Sequence, residues 1–461
     1  MKSKFKLLLT LCLLLSQTAI WAQHGFVHKK SKNYEWPTDP ETLDKLEKWH
    51  DLKFGVLFHW GLYSVPGIVE SWSICSEDED WIPRDSTVAY TDYKQDYFDL
   101  INKFNPTDFD PEQWSRICKN AGMKYMIFTT KHHDGFSMFD TKETDYSIMN
   151  GPFGNNPKAN LTKHVFDAFR NDDFMIGAYF SKPDWHTPYY WWPRYATPNR
   201  NVNYKIEKHP AQWENFVQFT QNQINELMTD YGRVDILWLD GGWVAAPRQD
   251  IRMNDIAAKA KKSQPGILVV DRMIHGPNEN YQTPERTIPE EQLQNPWESN
   301  IPLKDDWGWT AKDDYKSSTT VIDYLIEIVA KGGCFVLGVG PTPEGIIEPK
   351  VESILNEVGL WLEKNGDAIY NTRIVPHYHS GKVWFTTNPK TNTMYALYSL
   401  KDGDKLPSKI EWEGNLPKGK MKLLANGKNV SYKVKGDKVI VNLPSSIVKQ
   451  NQSVALAFKA K

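Results

Sequence analysis

Six short apolar runs, separated by stretches with helical spacing, run through the first four-fifths of this chain and leave few folds open to it. They are Phe54–Phe58, Tyr125–Thr130, Met175–Phe180, Val234–Leu239, Ile267–Val270 and Cys334–Val339. Runs without polar alternation suit strands buried on both faces, as in a parallel sheet. Between two of them, Trp213, Phe216, Val217, Thr220, Ile224, Leu227 and Met228 recur at three- and four-residue intervals, and Gly232 is placed to end that helix. Ser318 or Thr319 is expected to cap a helix carrying Ile322, Leu325, Ile326 and Val329. A last helix with Val351, Ile354, Leu355, Val358 and Leu362 ends near Gly366. Repeated strand–helix units of this length predict an α/β fold, a (β/α)8-type barrel over 35–366. No Gly-x-Gly-x-x-Gly follows an early strand, which argues against a dinucleotide-binding sheet.

After Asn371 the pattern changes. Val383–Thr386, Met394–Leu400, Lys409–Trp412, Lys420–Leu424, Val430–Val434, Val439–Leu443 and Val454–Phe458 read as short strands. Asn426-Gly427 and Lys435-Gly436-Asp437 mark turns between them. A small antiparallel β-sandwich over 371–461 is expected, with a structural or sugar-binding role.

The first 22 residues read as an export signal. Lys2 and Lys4 precede the apolar core Leu7 to Leu15, and Ala22 closes a plausible cleavage site. That core is too short for a membrane span, so an exported protein, periplasmic or secreted, without membrane insertion is expected. A net charge of -2 offers no basic face for nucleic acid. Cys75, Cys118 and Cys334 are widely spaced and imply no disulfide framework. The 19 Trp supply flat apolar faces, each with one N–H donor, which suit sugar rings.

In a parallel barrel the carboxyl ends of the strands converge on one mouth. Phe54–Phe58 runs into His59, Tyr125–Thr130 into His132 and His133, and Val234–Leu239 into Asp240-Gly241-Gly242. Met175–Phe180 contains Tyr179, and Ile267–Val270 leads to Asp271-Arg272. Adjacent histidines on an extended chain point to opposite faces and no His-x-His is present, so a metal centre is disfavoured and no cofactor is expected. Neutral imidazoles and aromatic faces suit a sugar instead. Hydrolysis of a glycoside needs one ionised and one protonated carboxyl. Asp240 is the candidate for the first. Glu298, in a loop beside Trp297, is the candidate for the second, with Glu290 and Glu291 as rivals.

Three motifs together resemble the α-L-fucosidases of glycoside hydrolase family 29. They are Trp49-His50-Asp51-Leu52-Lys53-Phe54-Gly55 with Phe58-His59-Trp60-Gly61, Lys131-His132-His133-Asp134-Gly135-Phe136, and Trp238-Leu239-Asp240-Gly241-Gly242. Trp297-Glu298, Trp307-Gly308-Trp309 and Gly340-Pro341-Thr342-Pro343-Glu344-Gly345 extend the likeness. The resemblance implies a catalytic barrel with a carboxy-terminal sandwich, and hydrolysis of terminal α-L-fucose with retention. It implies Asp240 as nucleophile, His59, His132 and His133 as fucose ligands, and Trp72, Tyr179, Trp238 and Arg272 around the sugar. Its substrate would be a fucosylated oligosaccharide or glycoconjugate. The chain departs from the common pattern at Glu70-Ser71-Trp72-Ser73, where many members have Glu-Trp-Tyr, and at Gly333-Cys334-Phe335. A retaining glycosidase of other specificity and a catalytically silent fucose-binding protein are the alternatives.

Overall fold

The computed structural model describes residues 34–75, 84, 87–197 and 199–461. The expected signal and the acidic stretch from Ser76 to Asp80 lie outside the described residues.

Seven parallel strands form one curled sheet: β1 Phe54–Phe58, β2 Tyr125–Lys131, β3 Met175–Ser181, β4 Ile236–Asp240, β5 Leu268–Asp271, β6 Glu298–Pro302 and β7 Cys334–Val339. Their order is β5-β4-β3-β2-β1-β7-β6. Every residue of β1, β2, β3 and β7 is buried, as strands flanked by helices on one side and a filled interior on the other must be. Helices begin where side chains satisfy their free amides. Asp39 accepts from Thr42 N ahead of Pro40, and Asp110 accepts from Gln113 N ahead of Pro111. Ser317 caps the helix Ser318–Ala330 by accepting from Thr320 N, one residue before the expected cap.

The eighth stave is irregular. Residues 278–286 run between β5 and β6 without forming a strand. Asn280 N donates to Val269 O (2.9 Å), Glu298 N to Gln282 O (2.8 Å), and Arg286 N to Asn300 O (2.8 Å). The segment thus links the two edge strands with hydrogen bonds on both sides. β6 was not recognisable as a strand because Glu298-Ser299-Asn300-Ile301-Pro302 is polar and ends in proline. Its polar side chains are nevertheless all buried, with Ser299 Oγ donating to Thr287 O (2.7 Å).

The interior is aromatic. Side chains two apart on a strand share a face, so Trp238 and Asp240 both point inward, one turn of pleat apart. Trp49, from the helix Pro40–Leu52, stacks on Tyr281 with centroids 4.1 Å apart, and Tyr179 stacks on Trp238 at 5.2 Å. Gly55 makes room for Tyr125, whose ring would lie 2.6 Å from any Cβ placed there. Cys75, Cys118 and Cys334 are all buried. Among the described residues no helix is long and apolar enough to cross a membrane.

Beyond residue 371 two antiparallel sheets follow, one of six strands and one of three. Phe385, Trp412, Val439, Val441 and Leu456 are in the core that they share. The expected strand Val430–Val434 is two strands in different sheets: Asn429–Val430 pairs with Pro417–Leu423, and Tyr432–Lys435 with Lys438–Asn442. Two helices join sandwich to barrel: in Pro349–Asn365, Trp361 Nε1 donates to Ser453 O (2.7 Å), and in Ser318–Ala330, Asp323 Oδ1 accepts from Ser399 Oγ (2.7 Å). Trp361 is buried. Trp361→Ala should therefore cost about 3–5 kcal/mol, and Trp361→Phe only about 1 kcal/mol for the lost hydrogen bond. Urea unfolding of both variants checks this; equal losses would show that the buried ring adds nothing beyond its N–H hydrogen bond.

Candidate active site

At the carboxyl ends of β1 to β5 the barrel opens into a cavity of about 490 Å³, a size suited to a small glycan. His59, Trp72, His132, His133, Tyr179, Trp238, Asp240 and Arg272 all line it. Glu70, Arg200, Trp243, Met273, Glu285 and Trp307 line it too, and motif reading had assigned them no role.

Asp240 is the most heavily partnered group. Arg272 Nη1 donates to Oδ1 at 2.8 Å, the Gly241 amide donates to Oδ1 at 2.8 Å, and the Tyr179 hydroxyl donates to Oδ2 at 2.6 Å. Burial alone would favour the protonated acid, but Arg272 and these donors outweigh it and hold the carboxyl well below the usual carboxylate range. Arg272 itself rests over the Trp238 ring, 4.4 Å from the centroid, a cation–π contact that fixes the guanidinium plane.

The histidines are neutral for a different reason. Burial lowers His59 to about 3 and His133 to about 4, and pushes His132 well below its ordinary value. The tautomer of His133 follows from its neighbour. Ser181 Oγ donates to Pro183 O (2.7 Å), so at 2.8 Å from His133 Nδ1 it can only accept. Nδ1 therefore carries the proton, and Nε2, 3.9 Å from Asp240 Oδ2, presents a lone pair to the cavity. Two acceptors facing one gap suit a ligand hydroxyl. His132 Nδ1 is held by Ser71 Oγ. Among the described residues no three His, Cys, Asp or Glu side chains form a set fit for a metal ion.

The structure does not bring Glu298 to this cavity. The expectation of a loop acid over the mouth is corrected: Glu298 is the first residue of β6, paired with Cys334 at the start of β7, so it lies at the amino-terminal end of the strand. It is fully buried behind Trp238, whose Nε1 donates to its Oε1 at 3.2 Å. Glu290 and Glu291 are exposed and line no part of the cavity.

Two other carboxyls are present. Glu285, on the irregular stave, accepts from Arg272 Nη2 (2.8 Å) and from Trp307 Nε1 (3.2 Å). One guanidinium thus bridges Asp240 and Glu285. Glu285 keeps 40 % of its side-chain surface exposed at the rim. Glu70 is buried, and its Oε1 accepts from the amides of Trp307 (2.9 Å) and Gly308 (3.0 Å). Burial pushes it up to about 7 against those two bonds. Glu285 sits in Gln282-Thr283-Pro284-Glu285-Arg286, a stretch with neither periodicity nor motif, so nothing in the sequence pointed to it.

Comparison with known proteins accords with this geometry. The profile of the alpha-L-fucosidase family matches residues 21–367. The chain is 28% identical to plasma alpha-L-fucosidase of Homo sapiens over 441 residues, covering 89% of each protein. It is similar to the solved alpha-L-fucosidase isoenzyme 1 of Paenibacillus thiaminolyticus, with 28% identity, a TM-score of 0.77, and coverage of 91% of this chain and 100% of that one. It is also similar to the Thermotoga maritima alpha-fucosidase solved in complex with a mechanism based inhibitor, with 26% identity, a TM-score of 0.72, and coverage of 92% and 100%.

Buried carboxyls that keep a proton make stability depend on pH. Burial pushes Glu70, Asp134 and Glu298 each up to about 7. The native state holds those protons while the unfolded chain releases them near its ordinary values. Their contribution is complete below about pH 4 and is lost as pH rises toward about 7. Glu298→Gln should remove one share of that loss, about 3 kcal/mol between pH 4.5 and 7.5. Denaturant midpoints at the two pH values test it; an unchanged pH slope in the variant would refute the assignment.

Proposed function

The chain belongs to the alpha-L-fucosidase family of glycoside hydrolases, and we propose that it removes terminal α-L-fucose from fucosylated glycans by double displacement at Asp240. The observation that carries this is the guanidinium of Arg272 shared between two carboxyls at one barrel mouth. Asp240, kept ionised, attacks the anomeric carbon. Glu285 gives a proton to the departing oxygen, and then, as a base, activates the water that hydrolyses the fucosyl ester. A shared guanidinium keeps the two groups within the span of one planar fork, in accord with the roughly 5–5.5 Å separation of retaining enzymes. Glu285 is the acid because it stands at the open rim, where both leaving group and water arrive.

His59, His132, His133 and Tyr179 hold the fucose hydroxyls, with Nε2 of His133 as an acceptor, while Trp238 and Trp72 cover the ring. The barrel over 35–366 carries the chemistry, and 371–461 supports it. The amino-terminal Lys-flanked apolar stretch favours export, to the periplasm or the medium.

One observation favours a different acid: Glu70 lines the same cavity and is pushed up to about 7, near the ideal for proton donation. Its anchoring of the Trp307-Gly308 backbone instead makes it a strut for the wall. Asp240→Ala should lower kcat by at least about 10⁴-fold, with azide restoring turnover as an inverted fucosyl azide. Glu285→Gln should lower kcat/KM far more for an oligosaccharide than for an aryl fucoside with a good leaving group, and Glu70→Gln should lower both alike. The reverse pattern would transfer the proton-donor role to Glu70. Full activity of Asp240→Ala would end the covalent mechanism.

A further inference from the structure

We propose that Met273, set by Glu279, is the platform on which the leaving sugar rests, packing its thioether side chain against that sugar's apolar C–H face. The inference rests on the reading of Glu285 as proton donor. Met273 follows Arg272 directly, and like Glu285 it lines the cavity from an exposed position, on the side from which the leaving oxygen would depart. It lines the same cavity as Trp238 and His133, yet it is 69% exposed while they are buried. Depth separates the two roles. The buried groups enclose one ring, and Met273 meets what projects from it. The other large exposed apolar side chains among the described residues, Val88, Tyr195 and Leu360, line no part of this cavity.

The loop bearing Met273 is built to hold it there. Met273 has φ 62° and His275 φ 64°, left-handed conformations that side chains other than glycine rarely adopt. Such conformations persist where surrounding contacts dictate them. The contact here is Glu279, only 2% exposed, which accepts from Met273 N through Oε1 (2.9 Å) and lies 3.0 Å from His275 Nδ1 through Oε2. Behind the loop Lys182 anchors Asp271, whose carbonyl accepts from Ile274 N (3.3 Å). Opposite, Gly242 lacks the Cβ that would come 3.8 Å from that of Met273 and 3.3 Å from Arg272 O. A buried carboxylate thus orders an exposed apolar side chain at the rim. An unbranched thioether adapts to the uneven C–H face of a pyranose better than a branched chain would.

The test compares α-L-fucosyl fluoride, which has no leaving sugar, with a fucosylated trisaccharide. In Met273→Ala and in Met273→Gly, which also relieves the left-handed strain, the ratio of kcat/KM for the trisaccharide to that for the fluoride should fall about 10-fold, the loss expected for one partly buried apolar side chain. Met273→Leu should restore most of the ratio, and Glu279→Gln should lower it through the misplaced loop. An unaltered ratio in both Met273→Ala and Met273→Gly, with the wild type active on the fluoride, would overturn the platform alone. A wild type inactive on the fluoride would overturn the fucosidase reading and the platform with it.

Discussion

The guanidinium of Arg272 organises this molecule's chemistry. It reaches Asp240 with one nitrogen and Glu285 with another, and its flat face lies on Trp238. A planar, permanently charged fork can do this where a lysine cannot, because both bonds and the stacking share one orientation. Each contact constrains the others. Trp238 is held from below by Glu298, Asp240 from the side by Tyr179 and Gly241, and Glu285 by Trp307. The ionisation of Asp240 is therefore a property of the barrel's inner wall, set by groups from β3, β4 and β5.

The remaining polar groups divide by their relation to water. The three histidines are buried enough to be neutral, so they add no charge beside Asp240. Glu70, Asp134 and Glu298 are buried carboxyls without a cation as their main partner, and they retain protons where exposed acids would not. Glu285 is the exception, a carboxyl open to the solvent from which a glycan must come. That contrast between sealed and open acids separates structural from chemical roles more sharply than residue type does.

How much of this was legible in the sequence depends on what kind of signal each residue carried. β1 to β5 and β7 were visible because burial on both faces demands continuous apolar runs, and their carboxyl ends led directly to His59, His133, Asp240 and Arg272. The (β/α)8-type architecture followed from the same repetition. β6 was invisible because its buried side chains are polar, and Glu298 was consequently placed in a loop over the mouth instead of at the foot of a strand. Trp297 beside it looked like the desolvating partner, whereas Trp238 from across the barrel holds its carboxyl. Glu285 carried no signal because nothing regular surrounds it: its position is fixed by Arg272 and Trp307, contacts distant in sequence. Local pattern encodes strands and caps, but not which acid a folded loop carries to a cation.

The irregular stave between β5 and β6 has a further consequence. Elsewhere in the barrel, adding or deleting one residue would flip a strand's side chains between interior and exterior. Residues 278–286 are joined to their neighbours by scattered bonds, so this seam can absorb changes in length without disturbing the ladder on either side. Glu285 is carried on that seam and Asp240 on the regular sheet. A lineage of such barrels can therefore drift in the spacing between its two acids, and in the shape of the rim beside them, while the fixed half of the site stays in register.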